Sequence, residues 1–317
     1  MTVDAPPVYR RRVRTFSLIL LVVVAAVGAA CVDAGAKARA KPKPKPIRVA
    51  SPGPLALDPS GALVIGDRAL KRVVRFDLRT KRRTVLASGF PEAIVGVAYD
   101  DMGRLYVSSG DRVYRIDGKR KVVVAGTGVR GHSGDGGPAT AARLGGAGGF
   151  DVDHDEAIAI AEYDNWIRVV DPAGSISTAA GNGGEGYAGD GGPAGEALLG
   201  HPHDVIWRRD GVLIIADSHN GVLRRVDSAG RISTFSRGLG AVIDVTAAPG
   251  DVLFAADAQR GVLRVPAEGG AATVVAYLPG AIGVVADVRG NVYASQLERR
   301  RVVRVSPTGR ITPVVVR

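Results

Sequence analysis

One pattern, written six times between Leu55 and the C-terminus, constrains this chain more than any other feature. Each copy has an apolar stretch, a turn carrying Asp or Gly, a second apolar stretch, a polar turn, and a strand containing Arg. The copies read "LALDPSGALVIGDRALKRVVRFD" from Leu55, "VAYDDMGRLYVSSGDRVYRID" from Val97, "FDVDHDEAIAIAEYDNWIRVVD" from Phe150, "VIWRRDGVLIIADSHNGVLRRVD" from Val205, "VTAAPGDVLFAADAQRGVLRVP" from Val245 and "VVADVRGNVYASQLERRRVVRV" from Val284. A further short strand follows each copy, such as "RRTVLA", "KVVVAG" or "RISTFS". Short apolar runs alternating with period two and bounded by turn residues suit antiparallel sheet. The chain has 43 glycines and no helical heptads, which argues against a helical bundle. Four-stranded units of this size match propeller blades, so six of them predict an all-β six-bladed β-propeller of four-stranded antiparallel blades over residues 51–317.

The turn glycines measure the units. Gly61 to Gly103 is 42 residues, Gly211 to Gly250 is 39 and Gly250 to Gly290 is 40, whereas Gly103 to Gly211 is 108 and spans two units. Units two and three are therefore longer by roughly 14 residues, and each surplus contains one Gly-Asp-Gly-Gly-Pro-Ala phrase, at Gly134 and Gly189. These loops lack the Gly-Lys-Ser/Thr ending of a P-loop. Asp135 and Asp190 could each meet calcium through loop carbonyls, but one carboxylate per loop is thin coordination, so a self-bonded loop is expected. After each proline, "ATAARL" and "AGEALL" suggest a helical turn, with Leu144 and Leu199 as plugs.

"AGTGVRGHSGDGGPATAARL" and "AGNGGEGYAGDGGPAGEALL" resemble the inter-blade loop of NHL-repeat propellers. "IAEYDNWIRVVDPAGSISTAAG" and "IADSHNGVLRRVDSAGRISTF" resemble the strand-turn-strand signature of the same family. The resemblance is strongest over residues 120–235. It implies six blades and the binding of a protein, glycan or other ligand. Six-bladed relatives also include metal-dependent lactonases, streptogramin lyases and peptide-amidating lyases.

The N-terminus has a different character. "RRRVR" at residues 10–14 precedes the apolar run "FSLILLVVVAAVGAACV" at 16–32, the plan of a secretory signal or signal anchor. At about 17 residues the run is at the short limit for crossing a bilayer. A retained anchor, a cleaved signal and lipidation of Cys31 all remain open. Residues 1–36 are thus assigned to a cytoplasmic basic segment and its signal or anchor, and residues 37–50 to a Lys/Pro-rich spacer. The expected location is the cell membrane, with the propeller outside the cytoplasm, or secretion. Residues 1–50 supply +8 of the formal charge of +11, so the remainder carries only +3. The basic balance belongs to the tail and does not argue for nucleic-acid binding.

Within the repeats, Asp67, Glu162, Asp217 and Asp257 share one position at the end of the second strand, where a carboxylate can hold the following turn. Ser108 or Asp111 covers it in unit two and Gln296 in unit six. Asn165 and Asn220 suit left-handed turn geometry. Arg75, Arg115, Arg168, Arg225, Arg264 and Arg304 recur on the third strand.

Ligands of propellers commonly meet one mouth of the central channel, where the first strands begin. Aligned, the units place Pro54, Gly96, Gly149, Asp204, Asp244 and Gly283 there, with His203 beside Asp204. His203, Asp204 and Asp244 form the candidate ligand-binding site. Two carboxylates and an imidazole on one channel would perturb one another's pKa values. Alternatively, the two aspartates bond backbone amides at the mouth. His154, His201 and His219 are expected on turns at the surface.

No catalytic or metal-ligating set can be assembled. A lactonase-like site needs Glu, Asn and Asp about one metal, and an amidating-lyase site needs several histidines on zinc. No cofactor is predicted, with Ca or Zn as the metals to look for and no distinctive contacts for a quinone. The expected function is extracytoplasmic binding or sensing of an unidentified protein, glycan or small ligand, with the membrane as a partner through residues 16–32. The alternative is a hydrolase or lyase acting at the channel mouth.

Overall fold

The computed structural model describes residues 47–315. The basic cluster, the apolar run at 16–32, Cys31 and most of the Lys/Pro spacer lie outside the described residues. Among the described residues no helix is long and apolar enough to cross a membrane.

Six antiparallel meanders follow one another along the chain, each pairing its strands in sequence order. Their first strands are Pro52–Leu57, Ile94–Tyr99, Ala147–Val152, Pro202–Trp207, Val242–Ala247 and Ala281–Ala286. Each first strand packs beside the next, and the sixth returns to the first, so the sheets close around a central channel. This is a six-bladed β-propeller. Six apolar clusters fill its joints, one between each pair of neighbouring blades. The second strands are the most protected, and Leu63, Ile160, Ile215 and Ala255 are inaccessible to solvent. A strand buried on both faces reads as an apolar run rather than an alternation.

The turns between first and second strands use the left-handed region. Gly61, Gly103, Gly211, Gly250 and Gly290 have φ between 76° and 79°, and Glu156 takes that role in blade three with φ 70°. A side chain at this position is strained, yet the turn is kept by Asp153, whose Oδ1 accepts the N–H groups of Asp155 and Ala157 at 2.9 and 2.7 Å.

Two details differ from the sequence expectation. Blade four gains a fifth strand, Gly270–Ala271, which leaves blade five and pairs parallel to Ser236 and Arg237. The ends of the ring also divide their work. Ile311–Val315 forms the outer strand of blade six, while residues 47–50 form no strand. Val49 instead plugs the joint between blades six and one, against Leu55, Val302 and Val315. Ala50 and Ser51 donate their N–H groups to Asp67 at 3.0 and 3.1 Å.

The plug recurs at every joint, as Val49, Phe90, Leu144, Leu199, Leu239 and Leu278, all buried. The recurring acid anchors the residue after it. Gly145 donates to Glu162, Gly200 to Asp217 and Gly240 to Asp257, at 2.9, 2.6 and 2.7 Å. The carboxylate therefore fixes the incoming chain. It also holds the turn that follows in blades one and five, through the N–H groups of Leu70, Gln259 and Arg260, and in blade four through the Asn220 side chain. In blade two the register gives this position to Ser109, opposite Ile94, rather than to Ser108 or Asp111.

The two long loops make the same bonds. Each contains a short 3-10 turn, Ala139–Ala141 or Ala194–Glu196. Gly126 donates to Ala139 and Gly181 to Ala194, both at 2.9 Å, and Ala139 and Ala194 donate at 2.8 Å to Gly174 and Gly230 in the next blade. Arg168 and Arg224, both fully buried, clamp the loop acids. Arg168 bonds Asp135 and reaches Glu162 at 3.3 Å, and Arg224 bonds Asp190 at 2.9 Å and reaches Asp217 at 3.4 Å. The strand register makes Arg224, not Arg225, the counterpart of Arg168.

Candidate functional site

The channel mouth lies where the incoming chain enters each first strand and where the second strand turns into the third. Its geometry rests on a bulge. In blade four, Pro202 faces Asp217 and Asp204 faces Ala216, leaving His203 as the extra residue between them. A regular strand would send His203 and Asp204 to opposite faces. The bulge re-aims them, and both line the channel cavity, whose volume is about 420 Å³. The other blades show the same irregularity near the start of the first strand.

Two rings of residues follow from this register. The bulge positions are Gly53, Val95, Gly148, His203, Ile243 and Ile282. The residues just after the recurring acid position are Arg68, Gly110, Tyr163, Ser218, Ala258 and Leu297. Arg68, Val95, Tyr163, His203, Ile243, Ile282 and Leu297 all line the cavity. The mouth thus has a polar arc of Arg68, Tyr163 and His203 on blades one, three and four, interrupted by Val95 of blade two, and an apolar arc of Ile243, Ile282 and Leu297 on blades five and six.

Glycine makes room for the polar arc. A Cβ on Gly53 would lie 2.7 Å from Cγ of Arg68, so the arginine stem lies against the bare backbone of the first strand. A Cβ on Gly148 would lie 3.0 Å from the Tyr163 ring and 2.8 Å from the carbonyl of His203. Among the described residues Arg68 has no carboxylate partner.

Tyr163 and His203 stand with ring centroids 5.0 Å apart, and His201 packs 4.9 Å from His203. His201 is sandwiched between Tyr163 and His219, each ring 4.8 Å away. His219 in turn meets Glu185 at 2.9 Å. Burial, with the charges of His201, His219 and Arg68, lowers the His203 pKa to about 4, so its imidazole is neutral at pH 7. Burial also pushes the Tyr163 hydroxyl up to about 12.

Asp204 and Asp244 meet one another in the channel wall and face backbone as well. Asp204 accepts the Val245 N–H at 2.9 Å, and Asp244 accepts the Val284 N–H at 2.8 Å. Asp151 does the same one blade earlier, accepting the Trp207 N–H at 3.0 Å. Each carboxyl therefore ties its own blade to the next. Ser108 bonds Gly148, and Ser295 bonds Gly53, in the same sense. Burial raises all three acids. Asp151 moves to about 7 and Asp244 to about 6, while Asp204 lies well above the carboxylate range because it is buried beside Asp244. Of the two, Asp204 is pushed further toward its protonated form.

The donor set does not suit a resident metal. Asp204 and Asp244 are engaged with each other and with amides, the neighbouring imidazoles are stacked on one another, and both loop acids are held by arginine. Among the described residues no three His, Cys, Asp or Glu side chains are arranged to hold a metal ion.

The structure thus brings His203, Asp204 and Asp244 to one channel. Sequence reasoning missed Arg68 and Tyr163. Each directly follows the acid position of the repeat, but the residue type there differs in every blade, so nothing in the repeat pattern singles them out. His201 and His219 are partly exposed turn residues, but they join the mouth rather than standing apart. His154 is exposed beside Asp155.

No protein-family model matches this chain, and no curated protein matches its sequence. Solved structures do share its fold. A streptogramin B lyase is 11% identical, with 86% of this chain and 85% of that chain covered and a TM-score of 0.60. A catalytically inactive histidine-to-alanine variant of virginiamycin B lyase from Staphylococcus aureus, with quinupristin, is 12% identical over 85% of this chain and 86% of that one, with a TM-score of 0.58. A putative gluconolactonase is 12% identical over 84% and 90%, with a TM-score of 0.60. The chain has the six-bladed propeller fold of these proteins. Identities this low speak for the fold alone.

Proposed function

We propose that this chain is a binding propeller of the NHL-repeat type, displayed outside the cytoplasm, which takes a small ligand at its channel mouth. The observation that carries this reading is the open cavity of about 420 Å³ whose polar arc offers Arg68 without an acidic partner among the described residues. A pocket with mostly apolar walls and a few converging polar groups is the usual form of a small-molecule site. The paired Gly-Asp-Gly-Gly-Pro-Ala loops support the NHL assignment. The basic and apolar N-terminus supports display at a membrane.

A second reading is favoured by the fold-level likeness to a lyase and a putative gluconolactonase. There His203 would act as general base. An imidazole with a pKa of about 4 is a weak base at neutral pH, and bases work best with a pKa near the working pH. This places binding ahead of catalysis.

The test is a thermal-shift screen of small molecules with the full chain in detergent, repeated with Leu297→Trp, which narrows the mouth. Ligands that raise the wild-type melting temperature should lose their effect in the variant. Hits indifferent to Leu297→Trp would place binding elsewhere. Opening of a lactone by the wild type but not by His203→Ala would replace binding with the enzymatic reading.

A further inference from the structure

The two arcs specify more than a cavity. Arg68 is the only guanidinium on the cavity wall among the described residues. The three carboxyls on the same wall, Asp151, Asp204 and Asp244, are turned to the amides of Trp207, Val245 and Val284, and none of them forms an ion pair with Arg68. The Tyr163 hydroxyl is a neutral donor, and the neutral His203 imidazole offers one more N–H. A planar fork of N–H donors beside neutral donors suits an oxyanion, and Arg pairs best with planar carboxylates and with phosphates. On blades five and six, Ile243, Ile282 and Leu297 give a wall that rewards a compact apolar group. The Asp151 and Asp244 carboxyls in the same cavity wall disfavour a second negative charge on the ligand.

Building on the channel-mouth reading, we propose that the ligand is a small amphiphilic monocarboxylic acid, its carboxylate on Arg68 and its apolar body against Ile243, Ile282 and Leu297. A dianion such as phosphate places excess charge toward Asp244 and has nothing to offer the apolar arc. A cation meets Arg68.

The experiment is calorimetric titration of the full chain in detergent with 3-phenylpropionate, its primary amide, and inorganic phosphate, using wild type, Arg68→Leu and Leu297→Trp. Arg68 is partly exposed and forms no ion pair among the described residues, so Arg68→Leu should keep the fold, which its melting curve verifies. The acid should bind about ten-fold or more tightly than the amide, as expected for a charge-assisted pair. Arg68→Leu should abolish that preference while leaving amide binding in place, and Leu297→Trp should weaken both. Equal affinities for acid and amide, a preference that survives Arg68→Leu, or phosphate binding more tightly than the acid would each overturn the monocarboxylate assignment. If the amide binds and Leu297→Trp blocks it, the channel-mouth site stands without the acid preference. If no probe binds, both fall.

Discussion

Asp244 shows how single residues tie the channel to the stability of the whole ring. Its carboxyl and that of Asp151 titrate near 6 and 7 in the folded chain, against about 3.9 when unfolded. The folded state therefore holds protons that the unfolded chain has released. The resulting stabilisation is complete below about pH 4 and disappears as pH rises through 6 and 7. Each such group is worth roughly 1.4 kcal/mol per pKa unit. Urea unfolding should show a lower midpoint at pH 8 than at pH 5. Asp244→Asn, which keeps an acceptor for the Val284 N–H, should flatten that difference; an unchanged slope would show that the Asp204–Asp244 pair does not carry it. The ring containing Asp204 and Asp244 was legible in the sequence because the repeat fixes which residue opens each blade. Arg68 and Tyr163 were not, since repeat residues declare themselves by similarity. These two stand at a position that also holds Gly110, Ser218, Ala258 and Leu297, so no pattern marks it.

At the scale of elements, the two long loops are braced by buried arginines. Removing one partner from a buried charge network leaves the others uncompensated, at a cost of about 3–5 kcal/mol. Arg224→Met should therefore destabilise the chain by about that amount in urea and expose residues 181–200 to proteolysis. Arg225→Met, one residue along and outside the clamp, should change little. Equal effects of the two would refute the register assigned to the third strand. Sequence reasoning placed the loops, their helical turns and their leucine plugs correctly, because Gly, Pro and small residues act locally. Its third-strand series holds for Arg75, Arg115, Arg225, Arg264 and Arg304, which share one register. Arg168 lies one residue out of it, opposite Ile160, and its counterpart is Arg224 opposite Ile215; only the cross-strand partner decides which of two adjacent residues faces inward. Asn220 was likewise misplaced, since Gly221 with φ 62° takes the left-handed turn, and Asn220 instead bonds Gly186 and Asp217 at 2.7 and 2.8 Å.

For the whole molecule, closure is the term that matters. No blade is built from both chain ends, and blades six and one meet through side chains, with Val49 filling the space between them. Val49→Ala should cost about 1–2 kcal/mol as a cavity in a packed joint. Deletion of residues 47–50 should cost more, because it also strips the Ala50 N–H from Asp67. A melting temperature unmoved by either change would mean that the last joint seals without the N-terminal segment. Six blades could be counted in advance because contiguous repeats leave their period in the sequence. The fifth strand of blade four could not, because Gly270–Ala271 carries no side-chain signature of pairing.

Since the four-stranded meander of every blade is one uninterrupted stretch of chain, and Val49 and Val315 share one apolar cluster, the order in which blades are synthesised is not what defines the ring. A circular permutant opened at the exposed turn near Gly238, with its old ends joined by a short linker, would preserve all the strand pairing within the six main meanders. Its folding to the same state would make the starting point of the chain a matter of ancestry rather than architecture.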